Sequence, residues 1–387
     1  MSTSTSATGT AYRGGARAWL RRLVPPALVV LLACLPLLDL RLPGVLPGPT
    51  YTPGTLHLLA LAMVMAALAL SYHLLLGVAG LLSFGHALYF GLGAYLLGIV
   101  MSGLGLGLLP SVLVVLLVGV AVSLALGAVS LRVTGIPFAM VTLAFAQAGS
   151  VLVRRDPGRV TGGEEGLRLP TEQVPDALVG VADTRNLYWL ALAALVLAFL
   201  LVSWVQGSRA GHVAEAVREN ELRVRVLGMR PFLVKLAIFV AASVIAVGMG
   251  MVHLLLNSGA VPHIVSAELT ISLLLMVVIG GVGSRWGAVA GAVLYVLLNQ
   301  RLTVLAQAPW VHDLPAPLRI PLSEPLFILG TLFVLVVLFL PGGLAGTVGR
   351  LRRRRERADR GEPPGGADRL EDVDDEQQVP AADGARR

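Results

Sequence analysis

The stretch LGLLPSVLVVLLVGVAVSLALGAVSL, residues 106–131, contains no charged side chain and no Asn, Gln or His. A helix rises about 1.5 Å per residue and the hydrocarbon core of a bilayer is about 30 Å thick, so about 20 such residues make one crossing. A helix apolar on every side has no face to offer water, and lipid asks for none. This stretch reads as a membrane span.

Comparable runs recur on both sides of it, at 24–40, 55–76 and 80–102 before it and at 135–153, 187–206, 233–256, 268–284, 286–305 and 324–341 after it. The 387 residues are 56% hydrophobic and 14% charged, where a soluble domain carries about a quarter charged residues. The expectation is an all-α polytopic membrane protein of about ten transmembrane helices, some of them broken. It divides into an N-terminal tail (1–23), a transmembrane domain (24–343) and a basic, then Gly/Pro/Asp/Glu-rich tail (344–387) with too few apolar residues to order itself. Cys34 is the only cysteine, which excludes an intrachain disulfide and a thiolate metal site. The Ser/Thr-rich start followed by Arg13, Arg17, Arg21 and Arg22 mimics a signal peptide, but the multispanning remainder favours a retained first helix.

The net charge of +7 sits in short clusters beside apolar runs, a pattern of membrane orientation and not of nucleic-acid binding. One cluster precedes the first span. The second comprises Arg209, Arg218, Arg223, Arg225, Arg230 and Lys235, and the third Arg350, Arg352 to Arg355 and Arg357. Six expected spans separate the first two and four the last two, so all three fall on one side, the cytoplasmic one, with both termini. Arg132 and Arg285 fall on inside turns. Residues 154–186, which mix five Arg with the acids Asp156, Glu164, Glu165, Glu172, Asp176 and Asp183, become an external loop, and Val261–Ala267 an outside connection.

Between two spans, the segment 207–232 reads as a short cytoplasmic surface helix ended by Gly228. Ala214, Val217, Leu222 and Leu227 supply a partial apolar stripe beside a charged face. Such a helix docks into a groove on a cytoplasmic partner; the plain alternative is a solvated amphipathic loop. The Gly77–Gly98 segment, which carries Ser83 and His86, also has two readings. It is either a helix broken inside the membrane, whose resumed N-terminus faces a substrate carboxylate, or a site of close helix packing. His86, Thr142 and Gln147 each divide between substrate contact and helix stitching.

Five segments in order resemble the branched-chain amino acid ABC transporter permeases of the LivM type. They are Leu76-Gly-Val-Ala-Gly-Leu-Leu-Ser-Phe-Gly-His86 with Phe90-Gly-Leu-Gly-Ala-Tyr95, then Gly135-Ile-Pro-Phe-Ala-Met-Val-Thr-Leu-Ala-Phe-Ala-Gln147, then Thr161-Gly-Gly163. Glu215-Ala-Val-Arg-Glu-Asn-Glu221 with Leu227-Gly228, and Leu275-Met-Val-Val-Ile-Gly-Gly-Val-Gly-Ser-Arg-Trp-Gly287, complete the set. Pro137 stands where that pattern expects Tyr, Glu164 and Glu165 stand where small polar residues are usual, and the chain is extended at both ends.

The resemblance implies an importer subunit in a bacterial cell membrane that works with a second permease subunit, ATP-binding cassette ATPase subunits and an extracytoplasmic substrate-binding protein. It assigns ATPase coupling to Glu215, Ala216, Arg218, Glu219, Asn220, Glu221, Leu227 and Gly228. Candidates for the substrate path are Ser83, Gly85, His86, Thr142 and Gln147. No catalytic residue, metal or cofactor is expected. Gly280-Gly-Val-Gly283 lacks the Lys-Ser/Thr ending of a phosphate loop, so any ATP is hydrolysed by another subunit. An ATP-independent transporter or channel would call for acids inside spans, and only Asp39 and Glu268, at span ends, come near. A permease for urea or short amides is the substrate alternative, and a membrane enzyme or scaffold would show catalytic clusters or large soluble domains.

Overall fold

A computed structural model describes residues 26–40, 46–179, 183–307, 324–339 and 342–347. The expected N-terminal tail, the C-terminal tail beyond residue 347 and the basic clusters at Arg13–Arg22 and Arg350–Arg357 lie outside the described residues. Each apolar run contains a helix. The helices are α1 (Pro26–Leu37), α2 (Pro53–Val78), α3 (His86–Leu104), α4 (Leu108–Ser130), α5 (Ile136–Arg155), α6 (Thr184–Gly207), α7 (Arg209–Glu219) and α8 (Glu221–Val226). They continue with α9 (Pro231–Asn257), α10 (Ala267–Gly280), α11 (Arg285–Ala306) and α12 (Pro325–Phe339). The all-α polytopic expectation holds. Seven helices, α2 to α6 with α9 and α11, are long and apolar enough to cross a membrane, whereas α1, α10 and α12 are shorter.

Helix α2 is the axis of the fold. Its sequence is apolar all round, and its residues from Ala60 to Val78 are buried almost without interruption against α6, α9, α10 and α11. Ala60, Ala62, Ala66, Ala67 and Ala69 keep its surface narrow, which lets these neighbours approach. Pro sits in the first turn of α2, α5 and α9, where a missing N–H is no loss. Helix α3 packs most extensively on α9, and there Gly93 and Gly250 let the two backbones meet.

The connection between α9 and α10 packs into the protein. Tyr95 Oη donates to the Ala260 carbonyl (3.2 Å), the Val265 side chain lies against Gly91, and Ala87 N donates to Thr270 Oγ1 (3.0 Å). Tyr95, Gly91 and Ala87 lie successively farther from the Leu104 end of α3, so at about 1.5 Å per residue Val265 is about 20 Å below that end. Gly91 vacates the space that Val265 fills and Gly98 that of Leu167, while Gly149 makes room for Leu88. Helix α10 starts at mid-depth, which is why it needs only 14 residues.

The strand pair β1 (Leu167–Arg168) and β2 (Gly259–Ala260) ties the long loop after α5 to this descending segment, in antiparallel register Leu167↔Ala260. The loop itself is turned by Asp156, which ends α5 in left-handed conformation (φ 42°). Its Oδ1 accepts from Val160 N (2.7 Å) and Thr161 N (2.9 Å), and its Oδ2 from Gly162 N (3.1 Å), so Thr161-Gly-Gly163 is the turn that leaves the helix. These N–H donors, Thr161 foremost, hold the carboxyl below its ordinary value. A depressed folded value means the turn is stabilised above the unfolded pKa of about 3.9 and loses that contribution as pH falls through the folded value. The protection factors of the Val160, Thr161 and Gly162 amides are expected to hold from about pH 7 to 5 and to collapse well below about pH 4. Asp156→Ala should leave them low at every pH; protection unchanged in that variant would contradict the assignment.

Candidate functional site

Residues 207–230 gather at one end of the bundle with the α2–α3 connection and the α10–α11 turn: Arg218 and Glu215 both lie near His73 of α2, as do Val282 and Arg285. The single expected helix is two. Asn220 adopts extended backbone (φ −156°), interrupting the helix, and its Oδ1 accepts from Arg223 N (2.9 Å) to start α8. Ser208 caps α7 by accepting from Gly211 N (3.2 Å). The glycine stop is present: Gly228 has φ 80° and donates to Arg225 O (3.0 Å).

The break divides the expected apolar stripe. Ala214 and Val217, with Val224, turn inward and are buried, while Leu222, Val226 and Leu227 are 66, 80 and 70% exposed and form a bare apolar ridge. The charged residues divide in the same way. Arg218 donates through Nη1 to the carbonyl of Gly77. Glu221 binds Lys235 Nζ at 2.5 Å and Arg225 Nη2 at 3.1 Å, and the Lys235 hydrogen bond above all holds its carboxyl low. Glu215 accepts from Gln206 Nε2 (3.2 Å). Ala216, Glu219 and Asn220 remain at the surface with the ridge.

Arg218 reaches its partner because α2 changes winding. Its last turn, Leu74–Val78, is a π-helix, and the chain from Ala79 to Gly85 is not helical. Gly80 has φ 67°, and a side chain there would meet Arg218 Cγ at 2.8 Å, so the loop backbone lies flat on the arginine stem. The chain is non-helical over residues 79–85, and α3 starts at His86 and not at residue 80. Gly91, Gly93 and Gly98 serve close packing, as the alternative reading held.

Ser83, Gly85, His86 and Thr142 converge where α3 resumes. Phe84 N donates to Thr142 Oγ1 (3.1 Å), Gly85 N to Ser83 Oγ (3.2 Å), and Ala87 N to Thr270 Oγ1. In the first turn of α3 the Ala87 N–H is taken by the Thr270 hydroxyl and the Leu88 N–H by the Gly85 carbonyl, and Thr142 stitches α5 to the break. His86 Nε2 pairs with Ser71 Oγ at 2.8 Å, its ring meets Tyr72 edge-on at 5.5 Å, and Tyr72 Oη donates to Ser83 O (3.0 Å). A narrow crevice lined by Ser83, Gly85, Tyr89, Ser130 and Thr142 runs beside this cluster. Ser71, Tyr72 and Thr270 were missed by sequence reasoning, since a lone hydroxyl inside an apolar run gives no sign of which neighbour it faces. Gln147 does not join them; it lies exposed on the outer side of α5. At the far end the His253 ring lies tilted against Phe90 (5.1 Å) and Asn257 Nδ2 donates to the His253 carbonyl (3.0 Å). No group of metal ligands occurs among the described residues.

A family model described as branched-chain amino acid transport system / permease component matches residues 54–341. The chain is 25% identical over 317 residues to the high-affinity branched-chain amino acid transport system permease protein LivM of Escherichia coli (strain K12), covering 75% of this chain and 70% of that one. The protein of the same name from Salmonella typhimurium (strain LT2) matches with the same identity, length and coverage. No solved structure matches the chain.

Proposed function

We propose that this chain, which belongs to the family of branched-chain amino acid transport permease components, is the transmembrane subunit of an ABC importer moved by a separate ATPase. The observation that carries the reading is the two-sided α7–α8 block. Its inner side is fastened to α2 through Arg218 and to α9 through Glu221 and Lys235, and its outer side bares Leu222, Val226 and Leu227. A bare apolar ridge rimmed by Glu219, Arg223 and Arg225 suits a groove on a soluble partner. Closure of the ATPase pulls on the block, and the block pulls on the end of α2 and the break after it.

In this reading residues 207–232 are the cytoplasmic coupling segment, 154–186 the external loop, and both termini are cytoplasmic. An extracytoplasmic binding protein delivers the solute, and a second permease subunit completes the path. The break around Ser83, Gly85, His86 and Thr142 rearranges as access alternates, and Gln147 belongs to the path itself. The solute is a branched-chain amino acid, the class in the relatives' names.

Val226→Asp combined with Leu227→Asp tests the docking face. Both side chains are exposed, so the bundle is expected to fold as before, while ATPase subunits no longer co-purify in stoichiometric amount. Undiminished co-purification would contradict the assignment of the ridge.

A further inference from the structure

Helices α4 and α5 are the long helices least covered by the rest of the described chain, yet their bare faces differ in chemistry. On α4 the outward positions, among them Leu109, Leu113, Leu117, Ala121, Leu124 and Ala125, are wholly apolar, as hydrocarbon requires. On α5 the outward positions between residues 138 and 153 are Met140, Ala144, Gln147, Ala148, Val151 and Leu152, and Gln147 is the one polar side chain among them. Gln147 lies about 16 Å along the helix from Ile136 and about 12 Å from Arg155, which is mid-depth for a span. Its carboxamide has no hydrogen-bond partner among the described residues. Turned to lipid, it would leave two donors and the carbonyl acceptor unmet where water is absent.

Ala144 and Ala148 on either side of it are short, so another helix can come close to this face. The opposite side of α5 carries Thr142, whose hydroxyl holds Phe84 in the break after α2. The same helix therefore touches the segment that Arg218 grips and presents an amide outward.

We propose that the Met140–Ala144–Gln147–Val151 face of α5 is the wall this chain contributes to a water-containing seam with a second permease subunit, Gln147 pointing into the seam. This rests on the importer reading and adds to it which helix makes the wall. The seam accounts for both features at once. Water or a passing zwitterion satisfies the amide, and the short side chains admit the partner.

The chain has one cysteine, Cys34, so Cys34→Ser gives a clean background for single cysteines in the full complex in its membrane. Gln147→Cys is expected to react with a charged, water-soluble methanethiosulfonate at least about tenfold faster than Leu117→Cys, because thiols ionise only where water reaches them. A short bifunctional maleimide should join Ala144→Cys to cysteines placed on the second permease subunit, and fail from Leu117→Cys. Equal and negligible reaction at 147 and 117, with both modified only by a membrane-soluble maleimide, would overturn the seam. All these positions are exposed in the chain, so misfolding is not the expected cause of silence, and wild-type elution of each variant checks it. Labelling does not depend on ATP. A complex that transports but shows lipid-like labelling at 147 sinks the seam alone, whereas the failure of the importer reading shows as absent ATPase association.

Discussion

Gly250→Val is expected to abolish accumulation of the folded protein. A Cβ built on Gly250 falls 1.9 Å from the carbonyl oxygen of Phe90 and 3.0 Å from Ala94 N, and one built on Gly93 falls 2.0 Å from the carbonyl oxygen of Val247. The obstacle on each side is helix backbone, so no rotamer change relieves it and α3 must separate from α9 along their main contact. Overpacking typically costs about 1–3 kcal/mol where side chains can yield. With backbone as the obstacle the cost is expected at about 3 kcal/mol or above, a large part of the about 5–15 kcal/mol that holds an ordinary domain together. Gly248→Ala, two residues away with nothing within 4 Å of the new methyl, serves as the control and should match or slightly exceed the parent, by up to about 1 kcal/mol from helix propensity. Detergent-extracted yield and thermal midpoint read both; a well-folded Gly250→Val would contradict the close crossing.

Arg218→Ala is expected to separate ATP hydrolysis from transport. The guanidinium is the polar fastening between the α7–α8 block and the carbonyl of Gly77, at the π-turn of α2. A hydrogen bond with one charged partner contributes about 1.5–3 kcal/mol, which at about 1.4 kcal/mol per decade is about a 10- to 100-fold effect. The solute moved per ATP hydrolysed should fall by that factor, with ATPase subunits still bound, because the docking ridge at Leu222, Val226 and Leu227 is untouched. Arg218→Lys, a point charge on a flexible stem, should restore part of the coupling. An unchanged ratio in the Ala variant would show that force does not pass through this contact. Glu221, half-exposed between Lys235 and Arg225, is expected to matter less.

How much of this was legible in the sequence depends on the kind of signal. Spans such as 106–131 are legible because lipid tolerates no polar face, and a run of Leu, Val, Ala and Gly has no other stable home. The glycine stop at Gly228 and the break after Gly77 are legible for a related reason, since glycine marks places where backbone must turn or approach. The depth of residues 258–266 was not. Nothing in Val261–Ala267 distinguishes a segment lying on the surface from one descending beside α3, because the bonds that fix its flanks, Ala260 with Tyr95 and Thr270 with Ala87, reach residues far away in sequence. Asn220 was quoted within a helix, although Asn competes with helix through its own side chain and caps the next one here. The candidates Thr142 and Gln147 lay five residues apart in one motif, and only the helical phase together with the neighbours of α5 separates a stitching hydroxyl from an outward amide.

Uptake by proteoliposomes is the most direct measurement. They would hold this chain with a second permease subunit of its family and their ATPase subunits, nucleotide inside and a leucine-loaded binding protein outside. Leucine is expected to accumulate against its gradient only with hydrolysable ATP, and accumulation to stop when the ATPase subunits are left out. Accumulation that runs on an ion gradient without ATP, or transport of urea or short amides with none of leucine, isoleucine or valine, would contradict it.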